Sequence, residues 1–270
     1  MDIKEIVAHD SNVALIETVG VTKLFDNYGN HITAVSDVSI KIETASFVAF
    51  YGPAASGKSA LMRILTGVEK PDIGETLVKG EPLYEFSEDK RAFLRLHKFG
   101  LLTQKIHQLA YLNVEENVAL PLIATGAKER VAIESARKLL DQLGFKGNPK
   151  KKFQYQNHYQ AKIALIARSL INNPWIVFLD EPYNDLNNEE SDSLSKLVSK
   201  VNLDFRVAIV VATSDPVYLE EANKIYLMSD GRLINFDAGN SPVEKLKAAM
   251  SHLESVGRNM SKENEHHILV

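Results

Sequence analysis

Two groups of residues have the types and spacing that phosphate chemistry needs. The run Gly52-Pro53-Ala54-Ala55-Ser56-Gly57-Lys58-Ser59 fits the pattern G-x-x-x-x-G-K-S/T at every fixed position. Its glycines let the backbone wrap close to phosphate oxygens, and its amides point inward at the start of a helix. Lys58 would neutralise the β- and γ-phosphates, and the Ser59 hydroxyl would bind Mg²⁺. Roughly 120 residues later, Ile176-Val177-Phe178-Leu179 runs into two acids, Asp180 and Glu181. A buried parallel strand delivers such an aspartate at its C-terminal edge, where ligands of these sheets bind. Asp180 would hold the metal's shell there, and Glu181 would polarise an attacking water. The chemistry these groups describe together is hydrolysis of a phosphoanhydride.

These residues must be positioned by strands and helices, and the sequence outlines them. Residues 13–25 are apolar and β-branched enough for a strand, and Val38, Ile40 and Ile42 alternate with Ser39 and Lys41 as in a half-buried one. Residues 46–51 form a short apolar run that ends at Gly52, and a helical pattern starts near Lys58. Residues 70–130 read as mixed and loop-rich. Ala132, Ala136, Leu139, Leu140 and Leu143 mark one helix face, which Gly144 can close. Further helices are expected over 160–171 and around Leu194, Leu197, Val198 and Val201, with strands over 175–179 and 207–212. Asp215-Pro216 opens a short helix, and 225–236 folds back around Asp230-Gly231, a favoured two-residue hairpin turn. Ser241-Pro242-Val243-Glu244 begins a last helix with a capping box and the stripe Val243, Leu246, Met250 and Leu253. Strands alternating with helices imply an α/β domain around a mainly parallel sheet.

Composition narrows the function classes. A length of 270 residues buries a real core, and a net charge of -4 gives no push toward nucleic acid or anionic lipid. No nucleic-acid partner is expected. The absence of cysteine excludes disulfides, thiolate metal sites and cysteine nucleophiles. Residues 1–12 lack a signal peptide's apolar stretch, and no window approaches 18 consecutive apolar residues. If the protein serves a membrane, a partner must carry it there.

With both motifs in place, the chain resembles the nucleotide-binding subunits of ABC transporters from about residue 14 to 236. Phe99-Gly100-Leu101-Leu102-Thr103-Gln104, then Val114-Glu115-Glu116-Asn117-Val118-Ala119-Leu120-Pro121-Leu122, looks like the family's Q-loop and the segment after it. Glu85-Phe86-Ser87-Glu88-Asp89-Lys90-Arg91 precedes it as in the branch that serves lipoprotein release, macrolide-type export and the FtsE/FtsX pair (LolD/MacB/FtsE-like). The resemblance implies a P-loop NTPase fold of the ABC type, with a mainly parallel core sheet, an antiparallel β subdomain and a helical subdomain at about 100–172. The ATP-binding domain would span 1–237, followed by a C-terminal helix and polar tail over 238–270.

The resemblance also implies ATP and Mg²⁺ as cofactors. ATP would lie on Gly52, Pro53, Ala54, Ala55, Ser56, Gly57, Lys58, Ser59 and Ala60, with Asp180 and Asn157 contributing. Ser59, Asp180 and Gln104 would surround the metal, Gln104 also sensing the γ-phosphate, and Glu181, Gln104 and Ser214 would be the catalytic set. Phe25 would stack on adenine, with Tyr28 as the alternative. The stretch 107–112 would border a groove for a membrane subunit. Partners would be permease-type membrane subunits and a second ATP-binding subunit, at the cytoplasmic side of the inner membrane.

Three elements depart from the family. The signature L-S-G-G-Q falls on Gln156-Asn157-His158-Tyr159-Gln160, and no glycine occurs between Gly147 and Gly231 to recover it by realignment. In the family this segment offers a hydroxyl, glycine amides and a helix N-terminus to the γ-phosphate held by a partner. Asn157 can still donate from its amide, while the rings of His158 and Tyr159 either block close approach or point outward. The switch histidine of V-T-H-D is replaced by Ser214, and no histidine lies between His158 and His252. In the D-loop, Asn187 stands where an aspartate is usual, and it serves equally as a helix N-cap. Nucleotide binding should survive these changes and hydrolysis should be slow. Two readings follow: the ATPase subunit of a membrane complex, or a nucleotide-gated regulatory subunit paired with an active ATPase. A soluble ABC protein of DNA repair or translation fits less well, because the chain has no long heptad run.

Overall fold

The computed structural model describes residues 14–27, 30–103, 109, 111–215 and 219–235. Gln104, Tyr28, part of the 107–112 stretch, the short helix expected from Asp215-Pro216 and the C-terminal helix after residue 238 lie outside these described residues.

Two sheets organise the fold. The first is antiparallel and joins β1 (Ile16–Asn27), β2 (Asn30–Ile42), β4 (Ile73–Val78) and β5 (Glu81–Pro82) in the order β2-β1-β4-β5. Its alternation is the one read from the sequence: Val38, Ile40 and Ile42 are buried, and Ser39 and Lys41 face out. The second contains β3 (Phe47–Tyr51), β6 (Phe99–Leu102), β7 (Ile176–Asp180), β8 (Ala208–Thr213), β9 (Lys224–Ser229) and β10 (Arg232–Asn235), ordered β10-β9-β3-β8-β7-β6. All its neighbours pair in parallel except β10, which returns antiparallel on β9. That return is made by Asp230 and Gly231, both at positive φ (47° and 76°), as the two-residue turn requires.

The central strands are buried on both faces, so they read as unbroken apolar runs. Val48, Phe50, Phe178 and Val210 pack toward α1 (Lys58–Leu65) and the antiparallel sheet. Phe47, Ala49, Leu179 and Val211 pack the other way, among the helices α3 (Val114–Ala124), α4 (Glu129–Gln142), α5 (His158–Leu170) and α6 (Asn188–Phe205). Alternation along each strand thus builds two cores from one sheet.

Residues 70–130 hold more regular structure than their composition suggests. Besides β4, β5 and β6, they contain α2 (Glu88–His97), capped by Ser87, and α3, capped by an Asn113–Glu116 capping box. Four of the first five residues of α3 are apolar or fully covered, and Pro121 interrupts its last turns, so no one-sided stripe marks it in the sequence.

Asn117 of α3 is fully buried and ties the preceding turn to the helix. Its Oδ1 accepts from Leu109 N–H (3.0 Å), and its Nδ2 donates to the carbonyls of Leu109 (3.1 Å), Leu112 (3.3 Å) and Asn113 (3.0 Å). Replacing it takes the partner from the Leu109 N–H and the Leu112 carbonyl, while the carbonyls of Leu109 and Asn113 keep backbone donors. We expect Asn117→Ala to lower stability by about 2–3 kcal/mol and the Tm by roughly 4–12 °C, read by calorimetry. An unchanged Tm would mean that these bonds contribute nothing net.

Candidate active site

Every parallel strand of the second sheet points its C-terminal end the same way, and the sequence-predicted groups converge there. β3 runs into the phosphate loop, β7 ends at Asp180, and β8 ends at Thr213 beside Ser214. Because β8 lies between β3 and β7, these three ends are neighbours although far apart in sequence.

The loop conformation needs its glycines. Gly57 adopts φ 101°, and a Cβ there would come within 2.0 Å of the Ala34 carbonyl oxygen. At Gly52 a Cβ would come within 2.0 Å of the Met228 carbonyl oxygen. The Gly231 N–H donates to Ser56 O (3.0 Å) and the Gly52 N–H to Thr213 O (3.2 Å), so hairpin and β8 brace the loop from both sides.

Lys58 begins α1 and is 5% exposed. Its ammonium donates to the carbonyls of Gly52 (2.8 Å) and Pro53 (2.9 Å) and lies 3.6 Å from Glu181 Oε1. Burial pushes its pKa down, and the carboxylates of Glu181 and Asp180 work against that shift. Asp180 is also buried, and burial pushes its pKa up while a hydrogen bond from Ser59 and the charges of Lys58 and Arg63 pull it down. Its Oδ1 has no hydrogen-bond partner. A buried carboxylate oxygen left unpaired is costly unless something binds it. Among the described residues no cluster of three or more acidic or histidine side chains is poised to hold a metal. One carboxylate with an orphaned oxygen, beside one hydroxyl, suits a magnesium ion that would keep phosphate and water as its other ligands.

Glu181 sits at φ 48°, an uncommon region for a side chain of its size, with its N–H donating to Ala212 O at 2.8 Å. Its Oε2 accepts from the Ser214 N–H (3.2 Å) and from Ser214 Oγ (3.4 Å). Glu181, Lys58, Asp180, Ser59 and Ser214 therefore form one cluster. Phe25 is half-buried on β1 against the α1-side core, its ring 5.7 Å from Lys23 Nζ and 5.8 Å from the Arg63 guanidinium. Arg63, which touches both the Phe25 ring and the field at Asp180, escaped the sequence reading because nothing in its local pattern sets it apart from other α1 surface residues.

The segment aligned with the signature is occupied internally. Asn157 Oδ1 caps α5 by accepting from Gln160 N–H (2.8 Å), and Gln160 Oε1 accepts from the N–H groups of Lys146 (2.6 Å) and Gly147 (3.1 Å). His158 is exposed, while the half-buried Tyr159 ring packs inward on the helical core, with a hydrogen bond to Ser193. Asn187 forms a complete capping box with Glu190 at the start of α6.

A glycine-rich loop between strand and helix, facing an acid pair across a parallel sheet, defines a P-loop nucleoside triphosphatase. The family described as "ABC transporter" matches residues 35–184, more than half the chain, and the chain belongs to that family as an ATP-binding cassette. The lipoprotein-releasing system ATP-binding protein LolD of Wigglesworthia glossinidia brevipalpis is 32% identical over 223 residues, which cover 83% of this chain and 97% of that protein. The macrolide export ATP-binding/permease protein MacB of Bdellovibrio bacteriovorus is 31% identical over 217 residues, 80% of this chain but 33% of that longer protein. Among solved structures, the dimeric post-hydrolysis state of the ATP-binding cassette MJ0796 with ADP and Pi superposes with a TM-score of 0.75. It is 26% identical, and the match covers 81% of this chain and 96% of that one. The expected fold class is thereby met: a mainly parallel core sheet, an antiparallel sheet and a helical layer.

Proposed function

We propose that this cassette is the ATP-binding subunit of a membrane transport or mechanotransmission complex, closing as a dimer on ATP and hydrolysing it slowly. The observation that carries the reading is the cluster of Lys58, Asp180 and Glu181, with Asp180 Oδ1 buried and unpaired. Lys58 and the loop amides from Gly52 to Ala60 hold the phosphates, and Ser59 and Asp180, with Gln104, hold Mg²⁺. When bound there, the metal would supply charge neutralisation to the phosphates. Glu181 orients and polarises the attacking water, and Phe25 offers its ring to adenine. The domain limits at 237/238 and the helical subdomain at about 100–172 belong to the same proposal. The test is ATP turnover in the purified complex together with identification of what co-purifies. A complex without permease-type membrane proteins would contradict the partner assignment.

One observation favours the second reading, a regulatory subunit beside an active ATPase. Gln160, the Asn157 Oδ1 and the Tyr159 ring are engaged inside their own chain, which leaves only the Asn157 amide to offer a nucleotide held by a partner. In a homodimer both sites would lack a signature. In a heterodimer one site would lack the signature and the other the histidine.

Membrane association should depend entirely on the partner. No helix among the described residues is long and apolar enough to cross a membrane. In a flotation assay the chain alone should stay at the bottom of the gradient and float only when co-expressed with its membrane subunits. Flotation with lipid vesicles alone would refute this.

A further inference from the structure

The two oxygens of the Glu181 carboxylate have separate holders. Oε1 faces Lys58 at 3.6 Å, and Oε2 receives both donors of a single residue, the N–H of Ser214 at 3.2 Å and its hydroxyl at 3.4 Å. The arrangement is built by the sheet. Glu181 N–H extends the ladder to Ala212 of β8, and β8 delivers Ser214 one residue past its end. Thr213 fixes that exit, its Oγ1 accepting from Asp215 N–H at 3.1 Å. Serine suits the position because its oxygen is two bonds from Cα, so hydroxyl and amide converge on one acceptor.

We propose that Ser214 is a positioning residue for ATP hydrolysis: it fixes Glu181 Oε2 so that the carboxylate keeps one orientation toward the attacking water, and it does not touch the nucleotide. This rests on the reading of Glu181 as the water-polarising group. A carboxylate on three rotatable bonds loses rate whenever it samples other directions, and a bond to its charged oxygen narrows that sampling.

The experiment is single-turnover hydrolysis of Mg-ATP by the full chain with its co-purified subunits, with nucleotide affinity measured alongside. Ser214→Ala keeps the backbone N–H and deletes the hydroxyl; it should lower the rate about tenfold while the Kd for Mg-ATP stays within about twofold. Ser214→Thr should restore the rate. In a Glu181→Gln background, Ser214→Ala should cost nothing further, because the two residues act as a unit. Ser214 is exposed, and equal Tm values for wild type and variants will show that the fold is intact. Three results would overturn the proposal: a wild-type rate in Ser214→Ala, a loss of Mg-ATP affinity in that variant, or an additive loss in the double variant. A Glu181→Gln protein as fast as wild type would instead remove the underlying reading of Glu181.

Discussion

Lys58→Ala should abolish Mg-ATP binding, with affinity falling by roughly 100-fold or more, about 2.7 kcal/mol. The size of the effect follows from the burial of the site. Lys58 is the cation that faces both Glu181 and Asp180, and it is 5% exposed. Without it the polyphosphate would meet two carboxylates with no lysine between, in a place where water screens poorly. The carbonyl of Gly52 would lose its lysine donor as well, while that of Pro53 would keep the Ser56 N–H. Titration of a fluorescent ATP analogue in the presence of Mg²⁺ measures the loss, and an unchanged unfolding temperature would confirm that only the site was affected. Unaltered binding in Lys58→Ala would place the nucleotide elsewhere.

The second large effect concerns rate. Restoring the family's residues should raise turnover of the whole complex, Ser214→His alone by about tenfold and together with Asn157→Ser, His158→Gly and Tyr159→Gly by about 10²–10³. The lost contributions are those felt at the γ-phosphate as the bond breaks, while ground-state binding through Lys58 and Ser59 is intact. The expected order at position 214 is therefore His above Ser above Ala. The fold sets a condition on the combined variant. Tyr159→Gly removes a ring packed on the helical core and a bond to Ser193, and two new glycines in the first turn of α5 cost about 1 kcal/mol each. Turnover must then be compared at a temperature where both proteins remain folded. If the restored complex binds ATP equally and hydrolyses no faster, the slow step is a conformational one set by the membrane partner.

The Asn187 cap illustrates what local sequence decides. A side-chain oxygen three residues before Glu190 satisfies its own helix's free N–H groups, and both halves of the box form. The phosphate loop, the acid pair and the Asp230-Gly231 turn are equally local: each requires particular residues at fixed short spacing, so the sequence alone determines them. The apolar runs of β3, β7 and β8 likewise follow from burial on two faces. α2 and α3 were less legible. Their caps are polar residues found in any loop, and α3 is covered over most of its first turns, so periodicity gives it no signal.

Only the tertiary structure decided which groups meet. Ser214 reaches Glu181 across 33 residues of chain because β8 pairs with β7, and Lys58 reaches the same carboxylate because β3 lies on the far side of β8. It also decided that Tyr159 turns inward while His158 stays exposed, a choice set by a helical core contributed from elsewhere in the chain. Spacing along the chain specifies turns, caps and phosphate loops, whose partners are a few residues apart. Contacts across a sheet depend on strand order, which is settled when the two cores close on either face and leaves no mark on any short stretch of sequence.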